Sequence, residues 1–257
     1  MMTPFKRIFV PLIKTLGRRK EKRIFTETPI IIGGGARSGT TLLLSVLSAH
    51  PSIFAIRTEL GLFKYGKEQD GRFRPERMDR LYTNILRNRM GKKVDRWCEK
   101  TPNNIRYMQR IDSFFQGREY RFIHIIRDGR DVILSRHPHT TDRQYHVEPG
   151  EWVADVQEGM KYADRENFLT IHYESLITDF ENTMATVCEH LGIDLSDEIL
   201  NFYDHASVRR NPAYFSGLEK MHSNSIGKWK KPDNKERVEE LLAYPGAMEL
   251  LKKLNYL

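Results

Sequence analysis

TPIIIGGGARSGTTLLLSVLSAH, residues 28–50, opens on an apolar run, Ile30 to Ile32, that stops at three glycines and passes into a helix-compatible segment from Thr40 to His50-Pro51. The pattern predicts a buried strand, a tight glycine turn and a helix. Glycines let a backbone bend closely around an anion. Ser38, Gly39, Thr40 and Thr41 fall at the helix N-terminus, where unpaired N–H groups and the helix dipole attract phosphate. Against G-x-x-x-x-G-K-[ST], Gly34 and Gly39 are correctly spaced, but Thr40 stands at the lysine position. The usual contact to the outer phosphates of ATP is missing, which counts against a nucleotide kinase. Arg37 lies inside the loop instead and offers a planar fork to phosphate or sulfate.

Working outward, residues 52–56 read as extended and 59–74 as a polar, glycine-punctuated active-site loop. Pro75 to Met90 reads as a surface helix, Val94 to Cys98 as a strand and Asn103 to Phe115 as a helix. RFIHII, residues 121–126, is the clearest strand; it runs into Arg127, so no bare Asp ends it to hold magnesium, and Asp128 is placed to cap a helix through Ser135. Residues 137–149 read as a loop over a site, 151–164 as a helix, Phe168 to His172 as a strand. Phe180, Met184, Val187 and Leu191 mark the apolar face of a further helix. Strands alternating with helices imply an α/β fold: a single P-loop-like domain whose central parallel sheet carries helices on both faces. The expected boundaries are a basic lead-in over 1–28 and the domain over 29–257.

The chain has 257 residues and a formal net charge of +8, which suits a polyanionic partner without choosing among nucleotide, acidic polysaccharide, nucleic acid and anionic membrane. No recognition helix or RNA-binding signature supports nucleic acid. Two cysteines, Cys98 and Cys188, are too few for a disulfide framework and point to a reducing, cytoplasmic setting. The lead-in is too short and too charged to span a bilayer; it reads as a solvated or docked terminal helix, with an anionic membrane surface as the alternative. His137, His139 and His146 near Asp142 fit no standard ligand spacing, so no metal is expected. His50 and His124 sit in apolar company and read as core histidines.

GGGARSGTTL followed by LLLSVLSAHPSI resembles the 5'-phosphosulfate-binding segment of sulfotransferases that use 3'-phosphoadenosine-5'-phosphosulfate (PAPS). The likeness is to the bacterial and Golgi-type branch, tyrosylprotein sulfotransferases included. RFIHIIRDGRDVILS resembles that family's 3'-phosphate motif through Arg127 and Ser135, and IHYESLITDF its tyrosine and acidic segment around Tyr173 and Glu174. With CEKTP and SIGKW, the matches span roughly residues 29–231.

The resemblance implies sulfuryl transfer from PAPS to a hydroxyl acceptor, with a carboxylate base and no metal. The loop from Arg37 to Thr41 would take one end of the donor and Arg127 with Ser135 the other, two separated anion sites that ATP cannot fill. The implied base is Glu59. The family pattern puts its acid one position earlier, at Thr58 here, so Glu59 presupposes an insertion, and Glu68 and Asp70 stay open. Lys100 matches a lysine of tyrosylprotein sulfotransferases that acts on the leaving group. Ser225 or Lys228 in SIGKW would touch phosphate. Read alone, Arg127 would pair with Asp128 or Asp131, Lys100 with Glu99, and Trp229 would pack in the core. The acceptor is not readable beyond a hydroxyl, carbohydrate or peptidyl tyrosine among the options; basic loops favour an anionic one.

Overall fold

Ile30, Ile31 and Ile32 are completely buried and set β1 (Ile30–Gly34) at the centre of a five-stranded sheet. The computed structural model describes residues 4–136, 145–209 and 225–257, with side chains from Phe9 onward. Spatial order is β2-β5-β1-β6-β7, where β2 is Ile53–Ala55, β5 Arg96–Lys100, β6 Arg121–Ile126 and β7 Phe168–His172. Every pairing in it is parallel. A separate hairpin joins β3 (Gly66–Gln69) to β4 (Arg72–Pro75). The helices are α1 (Pro4–Ile24), α2 (Thr40–Leu47), α3 (Met78–Arg87), α4 (Met108–Phe115), α5 (Gly129–Val132), α6 (Pro149–Met160), α7 (Tyr173–Thr178), α8 (Phe180–Leu191), the single turns α9 (Asp197–Leu200) and α10 (Phe202–His205), α11 (Lys235–Ala243) and α12 (Ala247–Lys253).

Alternation along β1 divides the core. Ile30 and Ile32 pack with Leu43 and Leu47 of α2 and Met184 and Leu191 of α8, whereas Ile31 faces Phe122, Phe168, Ile105 and Met108. Helices therefore cover both faces, as expected from the alternating pattern. The register sets Ile32 opposite Lys100 and Gly34 opposite Ile125. Glycine loop, Lys100 and Arg127 thus arrive together at the carboxyl edge, beside the strand where the order reverses, the usual ligand position in open parallel sheets.

Several expected elements differ in extent. β5 lies two residues later than the Val94–Cys98 reading, because buried Glu99 is satisfied within the sheet edge by Thr101 Oγ1 (2.6 Å) and Asn104 Nδ2 (2.7 Å). The helix from Asn103 is divided: a 3₁₀ segment, Pro102–Tyr107, precedes α4. The 59–74 loop contains the β3–β4 hairpin, turned at Asp70-Gly71 with φ of 52° and 68°, the two left-handed positions of a type I′ turn. α5 ends at Val132 instead of reaching Ser135, because Arg136 is drawn into an antiparallel bridge with Tyr145. α6 begins and ends earlier than 151–164: Pro149 opens it and a Glu148–Glu151 capping box fixes its start.

The lead-in over 1–28 is largely α1, docked on α3. Gly17 lets the two axes approach, since a Cβ there would collide with Tyr82. Lys20 Nζ donates to the carbonyls of Ile85 in α3 (2.6 Å) and of Asn88 just past its end (3.0 Å). Cys98 and Cys188 are free and buried. Among the described residues no helix is long and apolar enough to cross a membrane.

Candidate active site

The glycine loop turns sharply after β1. Arg37 holds φ 67° and Gly39 φ 99°, and the first is a rare conformation for a residue with a side chain. Gly39 caps α2 with no side-chain hydrogen bond, so the N–H groups of the first turn point outward without a side-chain cap. Tyr173 explains the glycine: any Cβ at position 39 would strike its ring. Ser38 and Thr40 are buried within the turn, and Ser38 N–H donates to Gly35 C=O at 3.3 Å. Beneath it Asp155, buried, is gripped by Arg106 through Nη2–Oδ2 at 2.9 Å. Burial pushes the Asp155 carboxyl up, against the pull of Arg106.

Three cations gather at this turn. Arg127 Nη1 donates to the Arg37 carbonyl (3.2 Å), Nη2 donates to the Ser225 carbonyl, and the guanidinium lies 4.5 Å from the Tyr173 ring centre. Its Nε is buried without a protein partner. Burial first, and then Arg127, depress the Arg37 pKa; burial and the Arg127 charge likewise depress that of Lys228, with a further contribution from Arg37. A positively charged corner of this kind is complementary to polyanions.

Residues 225–229 are tied over the corner. Tyr173 Oη and Ser225 Oγ share a hydrogen bond of 2.7 Å, while Asp131 accepts from the N–H groups of Gly227 (2.7 Å) and Trp229 (3.1 Å). Asp128 pairs with Arg130 (2.7 Å), while the two Nη groups of Arg127 go to the Arg37 and Ser225 carbonyls. Trp229 also differs from its core reading: it is half-buried, with the Arg130 guanidinium 3.6 Å from its ring centre. Ser135 lies beyond α5, half-buried, where its carbonyl accepts from His146 N–H at 2.8 Å.

On the other side of the loop Lys100 is buried, 1% exposed along its side chain, and forms an ion pair with Glu59, which is 50% exposed. Lys100 Nζ also lies 3.1 Å from Thr41 Oγ1. The pairing with Glu99 does not form; Glu99 is held by Thr101, Asn104 and the Leu60 N–H, and burial raises its pKa. Of the three carboxylates left open by sequence, Glu59 is the one joined to Lys100. Glu68 sits on the hairpin, 3.4 Å from Ser113 Oγ, and Asp70 in its turn. His50 and His124 are buried as core histidines; His50 Nδ1 is bonded to Ser52, whereas His124 Nδ1 has no partner. His137, His139 and Asp142 lie outside the described residues.

Strand, glycine loop and helix at the centre of a parallel sheet, with cations converging where the strand order reverses, define a P-loop-like α/β protein. A model of the sulfotransferase family matches residues 29–197. The chain belongs to that family. It is 25% identical over 202 residues to protein-tyrosine sulfotransferase A of Caenorhabditis elegans, covering 68% of this chain and 53% of that one. It is 24% identical over 149 residues to a 3-beta-hydroxysteroid sulfotransferase of Cavia porcellus, covering 46% and 52%. The chain thus spans about half the length of these curated relatives. Among solved structures, the sulfotransferase domain of the Synechococcus PCC 7002 olefin synthase superposes with TM-score 0.56 at 18% identity, covering 85% of this chain and 96% of that domain. Mouse sulfotransferase SULT7A1, complexed with PAP, does so with TM-score 0.55 at 15% identity, covering 93% and 92%.

Sequence reasoning missed Asp155, Arg106 and the holding role of Asp131. RDGRD displayed Asp131 but not its distant N–H partners, and nothing local to Asp155 announces that it lies under Gly35.

Proposed function

We infer that residues 29–257 form a PAPS-dependent sulfotransferase domain acting on a hydroxyl acceptor, with residues 1–28 as an accessory lead-in. The carrying observation is that Glu59–Lys100 and the Arg37, Arg127 and Lys228 cluster flank one glycine loop. The residues fit the donor's chemistry on three counts. A Cβ at Gly39 would fill the turn, Arg127 Nε is an unpartnered buried donor, and the α2 N-terminus carries no side-chain cap.

In the proposed reaction the acceptor hydroxyl oxygen attacks sulfur in line, and its proton passes to Glu59. The bond from sulfur to the bridging oxygen breaks, and that oxygen leaves with its electron pair on adenosine 3',5'-bisphosphate. Lys100, Arg37, the Ser38 hydroxyl and the N–H groups of Gly39 to Thr41 stabilise the charge gathering there. Arg127 and Ser135 hold the 3'-phosphate, while Tyr173, Ser225 and Lys228 close the donor pocket. No metal is required, since fixed cations supply the positive charge.

A tyrosyl hydroxyl in an acidic peptide is the second reading for the acceptor. It is favoured by the cations around the segment after Glu59: Arg77 donates to the Leu60 carbonyl (3.1 Å), and Arg110 to that of Lys64 (3.0 Å). The test is calorimetric titration with adenosine 3',5'-bisphosphate in chelator, then labelled-sulfate transfer to carbohydrate and to tyrosine-containing acidic peptides. Tight binding of ATP only with magnesium, and none of the bisphosphate, would identify a P-loop kinase and sink the proposal.

A further inference from the structure

We propose that α1 is a docking surface for an anionic lipid bilayer, independent of the chemistry at the carboxyl edge. Its 21 residues carry eight Lys and Arg against Glu21 alone, a net +7 within a chain whose total is +8. Nearly all the excess charge of the protein therefore lies on one helix.

The helix is also amphipathic on the side away from the fold. Ile13, Gly17 and Lys20 turn inward, toward α3 and the core beneath it. Phe9, Leu12 and Leu16 remain 45%, 52% and 43% exposed. Arg19 and Arg23, both exposed, continue their spacing of three and four residues, so the five share one face. Apolar side chains therefore occupy its first half and guanidinium groups its second. On the other flank of α1 lies a cleft of about 1110 Å³, rimmed by Lys14, Arg18 and Lys22 of α1 and by Arg72, Arg74 and Arg118 from the fold. Glu27 and Glu119 are on the same rim, and Glu21 is bonded to Tyr82 at 3.2 Å.

Charge complementarity selects the occupant. A second copy of the chain would bring another +7 against the first. A nucleic acid would satisfy the cations but leave Phe9, Leu12 and Leu16 in water. A bilayer bearing anionic headgroups takes both, apolar side chains entering the acyl boundary while cations meet phosphate. The docking of α1 on α3 holds the face in a fixed orientation on the folded domain.

The test is co-sedimentation of the full chain with phosphatidylcholine vesicles, with and without phosphatidylglycerol. Binding is expected only to the anionic vesicles and to fall with added salt. Arg19→Ala and Arg23→Ala should each weaken it about fivefold, from ~1 kcal/mol per surface cation. The triple variant Phe9→Ser, Leu12→Ser, Leu16→Ser should weaken it at least about tenfold. Circular dichroism and binding of adenosine 3',5'-bisphosphate should stay unchanged in all of these. Three results would overturn the proposal. One is protein left in the supernatant with anionic vesicles at low salt. Another is a triple variant that binds as well as the parent, which would assign the attraction to charge alone. The third is a dimer that the triple variant dissociates without any change in vesicle binding.

Discussion

Lys100 and Glu59, 41 residues apart in sequence, share one ion pair in which the lysine is buried and the carboxylate half-exposed. The asymmetry follows from their elements. Lys100 ends a fully buried interior strand, whereas Glu59 leads the segment whose next N–H, that of Leu60, is held by Glu99. The carboxylate thus stays open to solvent while the ammonium reaches the glycine loop through Thr41.

Glu59→Gln keeps the side chain's size and removes its proton-accepting charge. Turnover is expected to fall by roughly 10²–10⁴, while adenosine 3',5'-bisphosphate affinity stays within a few-fold of the parent. Lys100→Ala should lower kcat by about 10²–10³ through loss of leaving-group stabilisation. Single-turnover sulfate transfer and calorimetry on the same samples separate the two. Full activity in Glu59→Gln would move the base elsewhere.

Arg37→Ala and Arg127→Ala each remove a cation from the corner. At about 1.5–3 kcal/mol for a charged hydrogen bond, bisphosphate affinity should drop roughly 10- to 150-fold in each. Arg127→Lys should not restore it, since a lysine keeps the charge but loses the planar fork and the stacking on Tyr173. Calorimetry at two salt concentrations reads this; unchanged affinity in both alanine variants would dismantle the proposed donor site.

How far the sequence carried the fold depended on locality. RFIHII and Phe168–His172 are strands as read, because short runs rich in aromatic and β-branched residues between turn residues favour one outcome. The hairpin escapes a sequence reading because its strands are short and polar, leaving only Asp70-Gly71 as a turn signal within residues 59–74. β5 was misplaced because Glu99 and Lys100 look like loop residues until Thr101, Asn104 and Glu59 are found around them. The same holds at the site. Arg37, Arg127 and the glycines lie in contiguous motifs, whereas Asp131's hold on Gly227 and Trp229 spans about a hundred residues that no local pattern reports.

Asp131→Asn should release the strap over residues 225–229, because an amide presents only one acceptor where two N–H groups now converge. Donor affinity should fall about tenfold, mostly through faster dissociation, with kcat nearly unchanged. Stopped-flow release of a fluorescent bisphosphate analogue measures it. An unaltered release rate would leave Asp131 a purely structural acid.

Gly39→Ala combines a left-handed backbone with a collision against Tyr173. The backbone alone costs about 1–2 kcal/mol. The variant should therefore melt several degrees lower and bind the bisphosphate poorly. Tyr173→Ala added to Gly39→Ala should recover part of the stability but not the binding, as judged by thermal unfolding with and without nucleotide. A Gly39→Ala protein that melts and binds like the parent would mean the turn tolerates a side chain.

His124 supplies the acid limit of the fold. Its ring is packed against Gly159 and completely enclosed, and burial, with a smaller contribution from His172, lowers its pKa to about 3. The folded pKa is depressed below the ordinary 6.5, so folding favours the neutral ring. That stability is whole above pH 6.5 and is lost as pH falls toward 3, at ~1.4 kcal/mol per pH unit. Glu99, Asp131 and Asp155, with raised pKa values, push the other way in the acid range, and His50, His172 and His190 act in the same direction as His124. A comparison with His124→Leu cancels those contributions, and Nδ1 has no partner to lose. Urea unfolding from pH 7 to pH 4 should show the parent losing stability with the steeper slope, by about one proton's worth. Parallel curves for the two proteins would mean that the ring admits its proton without opening the sheet.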